Sequence, residues 1–168
     1  MAVAEDIQGQ ELIEIAIALE QRGIAFYDVM ARSSDDAGAG RVFEHLANME
    51  RQHFRIFQEI LAGAEELEIP AASKDNREYL ELLLAASVFS DDLATSEMAT
   101  RVSSDLEAVE LAIVAEKDSI LLYCQLGEMM AEAARATFDR VMAEEKKHLG
   151  QLNKIRLEMA KRKANPQN

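Results

Sequence analysis

The sequence predicts an all-α protein, a four-helix bundle of two antiparallel helix hairpins joined by a long crossover that contains a short helix. Three observations carry this. Among 168 residues there are only 7 Gly, 2 Pro and no Trp, against an abundance of Ala, Leu, Ile, Glu and Met, a composition that favours helix almost everywhere. No stretch alternates apolar and polar residues with the β-branched enrichment of a strand. Four long stretches instead repeat apolar residues at helical spacing, and they fall into two pairs separated by a connection of 41 residues, 63 to 103. The length suits one domain with a sizeable core.

Residues 1–8 are expected to form an N-terminal arm. The first helix is predicted over 9–33, where Leu12, Ile13, Ala16, Ile17, Glu20, Ile24, Tyr27 and Ala31 share a face. Ser34-Asp35-Asp36-Ala37-Gly38 turns the chain. The second helix, 39–62, presents Phe43, Leu46, Glu50, His53, Phe54, Phe57 and Leu61. The connection holds Pro70 and a short helix over 76–89, opened by Asp75 with Glu78 three residues on, the pattern of a reciprocal N-terminal cap. Ser104-Asp105-Leu106-Glu107 repeats that pattern and opens a third long helix reaching 130. The fourth runs over 134–161 with Phe138, Val141, Glu145, His148, Leu149, Leu152 and Met159 inward. The bundle thus spans 9–161, and 162–168 is a polar tail whose neighbouring basic cluster, Lys161-Arg162-Lys163, is expected to fray. Short loops inside each pair and a long crossover between pairs give the connectivity of a ferritin-like bundle.

A net charge of −13 argues against nucleic acid, whose phosphates require clustered Lys and Arg. Cys124 is the single cysteine, so no intramolecular disulfide or four-cysteine iron site is available; it is expected to be a small buried hydrophobe. The first residues lack a charged-then-apolar signal pattern, and the apolar run Leu82 to Val88 is far too short to span a membrane. The expectation is a soluble, cytoplasmic protein with no membrane association.

The two halves repeat the same chemistry. The first carries Glu20, Tyr27 and Glu50-Arg51-Gln52-His53; the second carries Glu116, Tyr123 and Glu145-Lys146-Lys147-His148. Glu to Tyr is seven residues in both copies, Glu to Glu-x-x-His is thirty in one and twenty-nine in the other, and Phe43 and Phe138 each stand seven residues before their Glu-x-x-His. Positions i and i+3 lie on nearly one helix face, so each Glu-x-x-His can offer a carboxylate and an imidazole to one ion. A single such tetrad is commonly a solvated polar pair. Here both copies interrupt an apolar stripe, and Glu20 and Glu116 do the same on their own helices. Four converging buried carboxylates repel one another and take up protons unless cations neutralise them. Two divalent ions match that charge, which makes Glu20, Glu50, His53, Glu116, Glu145 and His148 the candidate ligands of a two-metal centre.

Tyr27 and Tyr123 lie two turns from Glu20 and Glu116, too far to share an ion with them. Across the bundle they are placed to donate hydrogen bonds to ligand carboxylates. His45 points off the stripe and is expected at the surface or an interface, not as a ligand. Met49, Met129, Met130 and Met142 are expected as core filler.

On these residues the chain resembles the rubrerythrin branch of the ferritin-like superfamily over most of 9–160. The motif is Glu20, Glu50-x-x-His53, Glu116 and Glu145-x-x-His148, in that order around the long connection. The resemblance implies two iron ions per chain, with zinc or manganese as substitutes, bridged by one pair of glutamates and capped by the other; sequence leaves open which pair bridges. It implies reduction of hydrogen peroxide or oxidation of ferrous iron, and a homodimer, sometimes with exchanged helix pairs. Two departures stand out. The one cysteine leaves no rubredoxin module as built-in electron donor, so the donor is expected to be external. The extra carboxylate that the family commonly carries one turn beyond the third-helix ligand is Ser119 here, with Gly23 as its counterpart on the first helix. Competing readings are an iron storage or sensing module and a metal-stabilised structural domain without turnover.

Overall fold

The structure, a computed structural model, describes residues 9–63, 74–88 and 102–164. It contains α1 (Gly9–Ser33), α2 (Ala37–Ala62), α3 (Lys74–Ala86), α4 (Asp105–Glu128) and α5 (Glu132–Ala164). α1 pairs with α2 and α4 with α5 as antiparallel hairpins. The hairpins meet through α1 against α4 and α2 against α5, and α3 lies on α4. The chain is therefore the four-helix bundle with an added crossover helix that the sequence predicts. The N-terminal arm, Pro70 and much of the connection lie outside the described residues.

Each helix start has a local cause. Asp36 caps α2, its Oδ1 accepting from the backbone N–H groups of Gly38 at 2.8 Å and Ala39 at 2.9 Å, which satisfies donors a helix leaves open at its first turn. A β-carbon on Gly38 would meet that same Oδ1 at 2.9 Å, so the small residue permits the tight cap. Ser104 caps α4, accepting from Glu107 N–H at 3.2 Å. The reciprocal half of the cap is shifted by one residue: Glu107 accepts from Ser103 N–H at 2.7 Å, not from Ser104. Asp75 is not a cap at all, because α3 begins at Lys74 and places Asp75 inside the first turn, where its charge still suits the helix dipole.

The end of the bundle is also more ordered than its composition suggests. α5 continues to Ala164, beyond the expected 161, so the basic cluster forms its last helical turn. Arg162 reaches Asp36 Oδ2 at 2.6 Å, and Asp105 Oδ2 accepts from the Asp36 backbone N–H at 2.5 Å. One turn residue thereby ties the end of α5 and the start of α4 to the α1–α2 loop.

The core runs the length of the bundle and includes Leu12, Phe43, Leu46, Phe57, Leu122, Phe138, Val141 and Leu152. On α1 it is turned relative to the predicted face. Leu19, Phe26 and Met30 are buried, whereas Ile17, Ile24 and Ala31 are half-buried. The cause is that α1 packs on two neighbours, α2 and α4, which widens and recentres its buried arc. Phe54, Leu61, Leu149 and Met159 are half-buried flanks. Met129 and Met130 are core residues and Met142 packs at its margin, whereas Met49 is half-buried outside the core, against expectation.

Candidate metal centre

All six predicted ligands are buried at the middle of the bundle: Glu20, Glu50, His53, Glu116, Glu145 and His148 are each 6% exposed or less. They come from four helices. α1 supplies Glu20, α2 supplies Glu50 and His53, α4 supplies Glu116, and α5 supplies Glu145 and His148. The Glu-x-x-His spacing works as helical geometry requires, because i and i+3 project toward the same neighbours.

The donor atoms form two overlapping groups. Glu20, Glu50, His53 and Glu145 are one; Glu50, Glu116, Glu145 and His148 are the other; in each, one ligand atom per residue lies within 4.8 Å of all the rest. His53 Nδ1 faces three carboxylates, at 3.0 Å from Glu145 Oε1, 3.7 Å from Glu50 Oε2 and 3.8 Å from Glu20 Oε2. His148 Nδ1 does the same, at 2.7 Å from Glu145 Oε2, 3.6 Å from Glu116 Oε2 and 3.9 Å from Glu50 Oε1. Glu50 and Glu145 each turn one oxygen to either histidine, whereas Glu20 serves only the His53 group and Glu116 only the His148 group. The two imidazole rings stack at 5.8 Å between centroids.

The tyrosines complete the arrangement. Tyr27 donates its hydroxyl to Glu116 Oε1 and Tyr123 donates to Glu20 Oε1. Each end carboxylate therefore spends one oxygen on a tyrosine of the other hairpin and turns its second oxygen toward a histidine. Burial first, and then the charges of Glu116 and Glu20 respectively, raise the phenols of Tyr27 and Tyr123 well above their ordinary range, so both remain protonated donors. Phe43 stacks on Tyr27 at 6.2 Å and Phe138 packs on Tyr123 at 6.0 Å, so the repeated Phe is the neighbour of the repeated Tyr.

A pair of cations fits this set. Glu20 Oε2, His53 Nδ1 and Glu145 Oε1 are buried and lack hydrogen-bond partners. The last two lie 3.0 Å apart without completing a hydrogen bond to each other. Leaving such atoms unpaired in an apolar core is costly. The titration properties express the same crowding. Burial first, then Glu50, holds Glu20 well above the carboxylate range; burial first, then Glu145, pushes Glu116 up to about 8. For the imidazoles burial acts downward, but Glu145 and Glu50 outweigh it and raise His53 to about 11, and Glu116 and Glu145 raise His148 to about 10. Without cations the cluster holds protons in their place.

Three features were not anticipated from sequence. Glu144, one residue before a ligand, lies 3.0 Å from His53 Nε2; the Glu144-Glu145 doublet was its only trace in the sequence. Gly23 is buried against Glu50, where an added β-carbon would meet Glu50 Cγ at 3.3 Å. Cys124 is exposed, with Sγ 4.0 Å from Glu128 Oε1, which corrects its expected burial: Tyr123 faces inward, so the next residue on the helix faces out. His45 is exposed, as expected. No helix among the described residues is long and apolar enough to cross a membrane.

Comparison with known proteins agrees with this geometry. A crystal structure from Thermotoga maritima, described as a ferritin-like diiron-carboxylate protein, is similar with a TM-score of 0.69 and 25% identity, covering 94% of this chain and 99% of that one. Comparison with curated proteins gives no match. The rubrerythrin family model matches residues 11–156, an interval that contains all six donors and both tyrosines, and the chain belongs to the rubrerythrin family.

Proposed function

We propose that the centre holds two iron ions and that the protein is a redox enzyme reducing hydrogen peroxide with electrons from an external donor. The observation that carries this reading is the paired geometry at the histidines, each Nδ1 facing three carboxylates with Glu50 and Glu145 common to both. Glu20 and His53 would help hold one ion and Glu116 and His148 the other, with Glu50 and Glu145 offering an oxygen to each group. An all-nitrogen-and-oxygen donor set suits iron, manganese or zinc and gives no preference for soft ions. When bound, a ferrous pair supplies two one-electron equivalents, enough to turn one hydrogen peroxide and two protons into two waters.

The chain's own residues set the conditions for that chemistry. Tyr27 and Tyr123 hold the capping carboxylates in one orientation, and Phe57 and Phe138, 5.0 Å apart between centroids, close the core beside Tyr123 against water. A second reading, oxidation of ferrous iron as substrate, is favoured by one observation: Ser119 and Gly23, both buried beside the ligand helices' faces, bring no fifth carboxylate to the cluster. The protein is further proposed to act as a homodimer in the cytoplasm.

Native mass spectrometry of protein made in iron-rich medium should report two iron ions per chain, and the Glu50→Ala/Glu145→Ala double variant should lose that stoichiometry. Anaerobic stopped-flow absorbance on the reduced protein should show faster oxidation by hydrogen peroxide than by oxygen. A clearly faster reaction with oxygen would select ferrous oxidation. Retention of both ions in the double variant would defeat the metal-centre reading itself.

A further inference from the structure

The internal repeat makes the two candidate metal positions look equivalent, but one contact breaks the equivalence. His53 turns Nδ1 toward the carboxylates and Nε2 toward Glu144 Oε2 at 3.0 Å. Glu144 comes from α5, the neighbour of α2 in the other hairpin, and its side chain is 30% exposed. In the repeat, Glu145 corresponds to Glu50, so the counterpart of Glu144 is Met49. A thioether carries no charge and is a poor acceptor. Among the described residues no carboxylate lies within 4.0 Å of His148 Nε2, although Nδ1 of that ring has three such neighbours.

The consequence follows from imidazole chemistry. A carboxylate accepting the Nε2 proton fixes the tautomer whose Nδ1 lone pair faces the centre, fixes the ring plane, and makes Nδ1 a stronger donor. His53 has this support and His148 has no matching carboxylate from the repeat-related position. We propose that Glu144 makes the two positions unequal, so that the one formed by Glu20, Glu50, His53 and Glu145 binds a divalent cation more tightly, and fills first, than the one formed by Glu50, Glu116, Glu145 and His148. Glu144 is a positioning residue, acting through His53 and not on a reacting atom. The inference rests on the metal-centre reading above and adds an order of filling to it.

The test is an equilibrium titration of the full chain with cobalt(II), whose visible absorption reports each binding step. The native chain should show two resolved steps. Glu144→Gln should weaken the first step about 10- to 100-fold, the range found when such outer partners are removed, and bring the two steps together. Met49→Glu, made in the otherwise native chain, should strengthen the second step and narrow the gap from the other side. Glu158→Gln, which removes one exposed charge from the same helix, should leave both steps in place. Two cobalt ions bound in unresolved, equal steps by the native chain would overturn the inequality while leaving the metal centre standing. Equal weakening of both steps by Glu144→Gln, or the same effect from Glu158→Gln, would reduce Glu144 to a source of bulk charge and overturn the proposal. Failure to bind two cobalt ions at all would overturn the metal centre and the proposal with it.

Discussion

Tyr27 on α1 donates its hydroxyl to Glu116 on α4, 89 residues further along the chain, and Tyr123 on α4 returns the same bond to Glu20 on α1. The two bonds cross between hairpins, each orienting a carboxylate that faces the histidine of the other hairpin. Tyr27→Phe should therefore weaken metal binding at the His148 side, and Tyr123→Phe at the His53 side, each by about tenfold or more. Metal titration of both variants checks this. Equal effects of either variant on both binding steps would contradict the crossed arrangement.

Gly23 and Gly150 form an internal comparison. A β-carbon at 23 would meet Glu50 Cγ at 3.3 Å, whereas nothing lies within 4 Å of one at 150. Gly150→Ala should raise stability by about 0.5–1 kcal/mol through helix propensity alone and leave metal binding unchanged. Gly23→Ala should gain the same propensity but displace Glu50, lowering metal affinity at both positions because Glu50 faces both histidines. Urea unfolding together with metal titration separates the two effects.

Metal-free protein should lose stability as pH rises. Glu116 has a folded pKa of about 8 against about 4.3 in an unfolded chain, and Glu20 is raised in the same direction. His53 and His148, at about 11 and about 10, also lie above their ordinary 6.5. In every case the folded chain carries more protons than the unfolded one. The carboxylates begin to cost stability above the unfolded value near 4.3 and continue to do so up to their folded values. The imidazoles' contribution is complete below about 6.5 and is lost as pH climbs toward their folded values. Both act in one direction, by up to about 1.4 kcal/mol per pH unit for each proton of difference. Bound cations replace these protons, so loaded protein should be nearly flat near neutrality. Urea unfolding from about pH 5 to 8, loaded and metal-free, is the measurement; a flat metal-free profile would contradict a converged, buried cluster.

The protein should be a dimer in solution. Two hairpins on a 41-residue connection can pair within a chain or between chains with the same contacts. Light scattering should report about twice the 18.7 kDa chain mass. A particle on the order of two dozen chains would favour the storage reading instead.

The bundle, its hairpin order and the convergence of the six candidate ligands were legible in the sequence because each rests on helical periodicity and a repeat that could be counted. The last turn of α5 and the centre of the α1 face were not, because they depend on neighbours: on Asp36 receiving Arg162, and on α1 touching two helices at once. Cys124 was misplaced for the reason that adjacent residues on a helix point about 100° apart, so sharing a stretch with Tyr123 says little about sharing its environment. The identity of the shared carboxylates was undetermined by spacing, since the repeat relates Glu20 to Glu116 and Glu50 to Glu145 without saying which pair faces both histidines. Only the placement of individual oxygens distinguishes Glu50 and Glu145 from Glu20 and Glu116. Glu144 escaped notice because its partner lies 91 residues away.

Each hairpin carries three of the six donors, Glu20, Glu50 and His53 on one and Glu116, Glu145 and His148 on the other, and this has a bearing on the order of folding. Contacts within a hairpin are close in sequence and form early, while contacts between hairpins must first close the long connection. Neither hairpin alone can assemble a full donor group, because Glu145 is needed beside His53 and Glu50 beside His148. The cluster is therefore completed only at the final docking event, and a bound ion would act as a latch on that event. A chelator would be expected to release the seam between hairpins before it unwinds either of them, with amide exchange rising first at the facing surfaces of α1 and α4 and of α2 and α5.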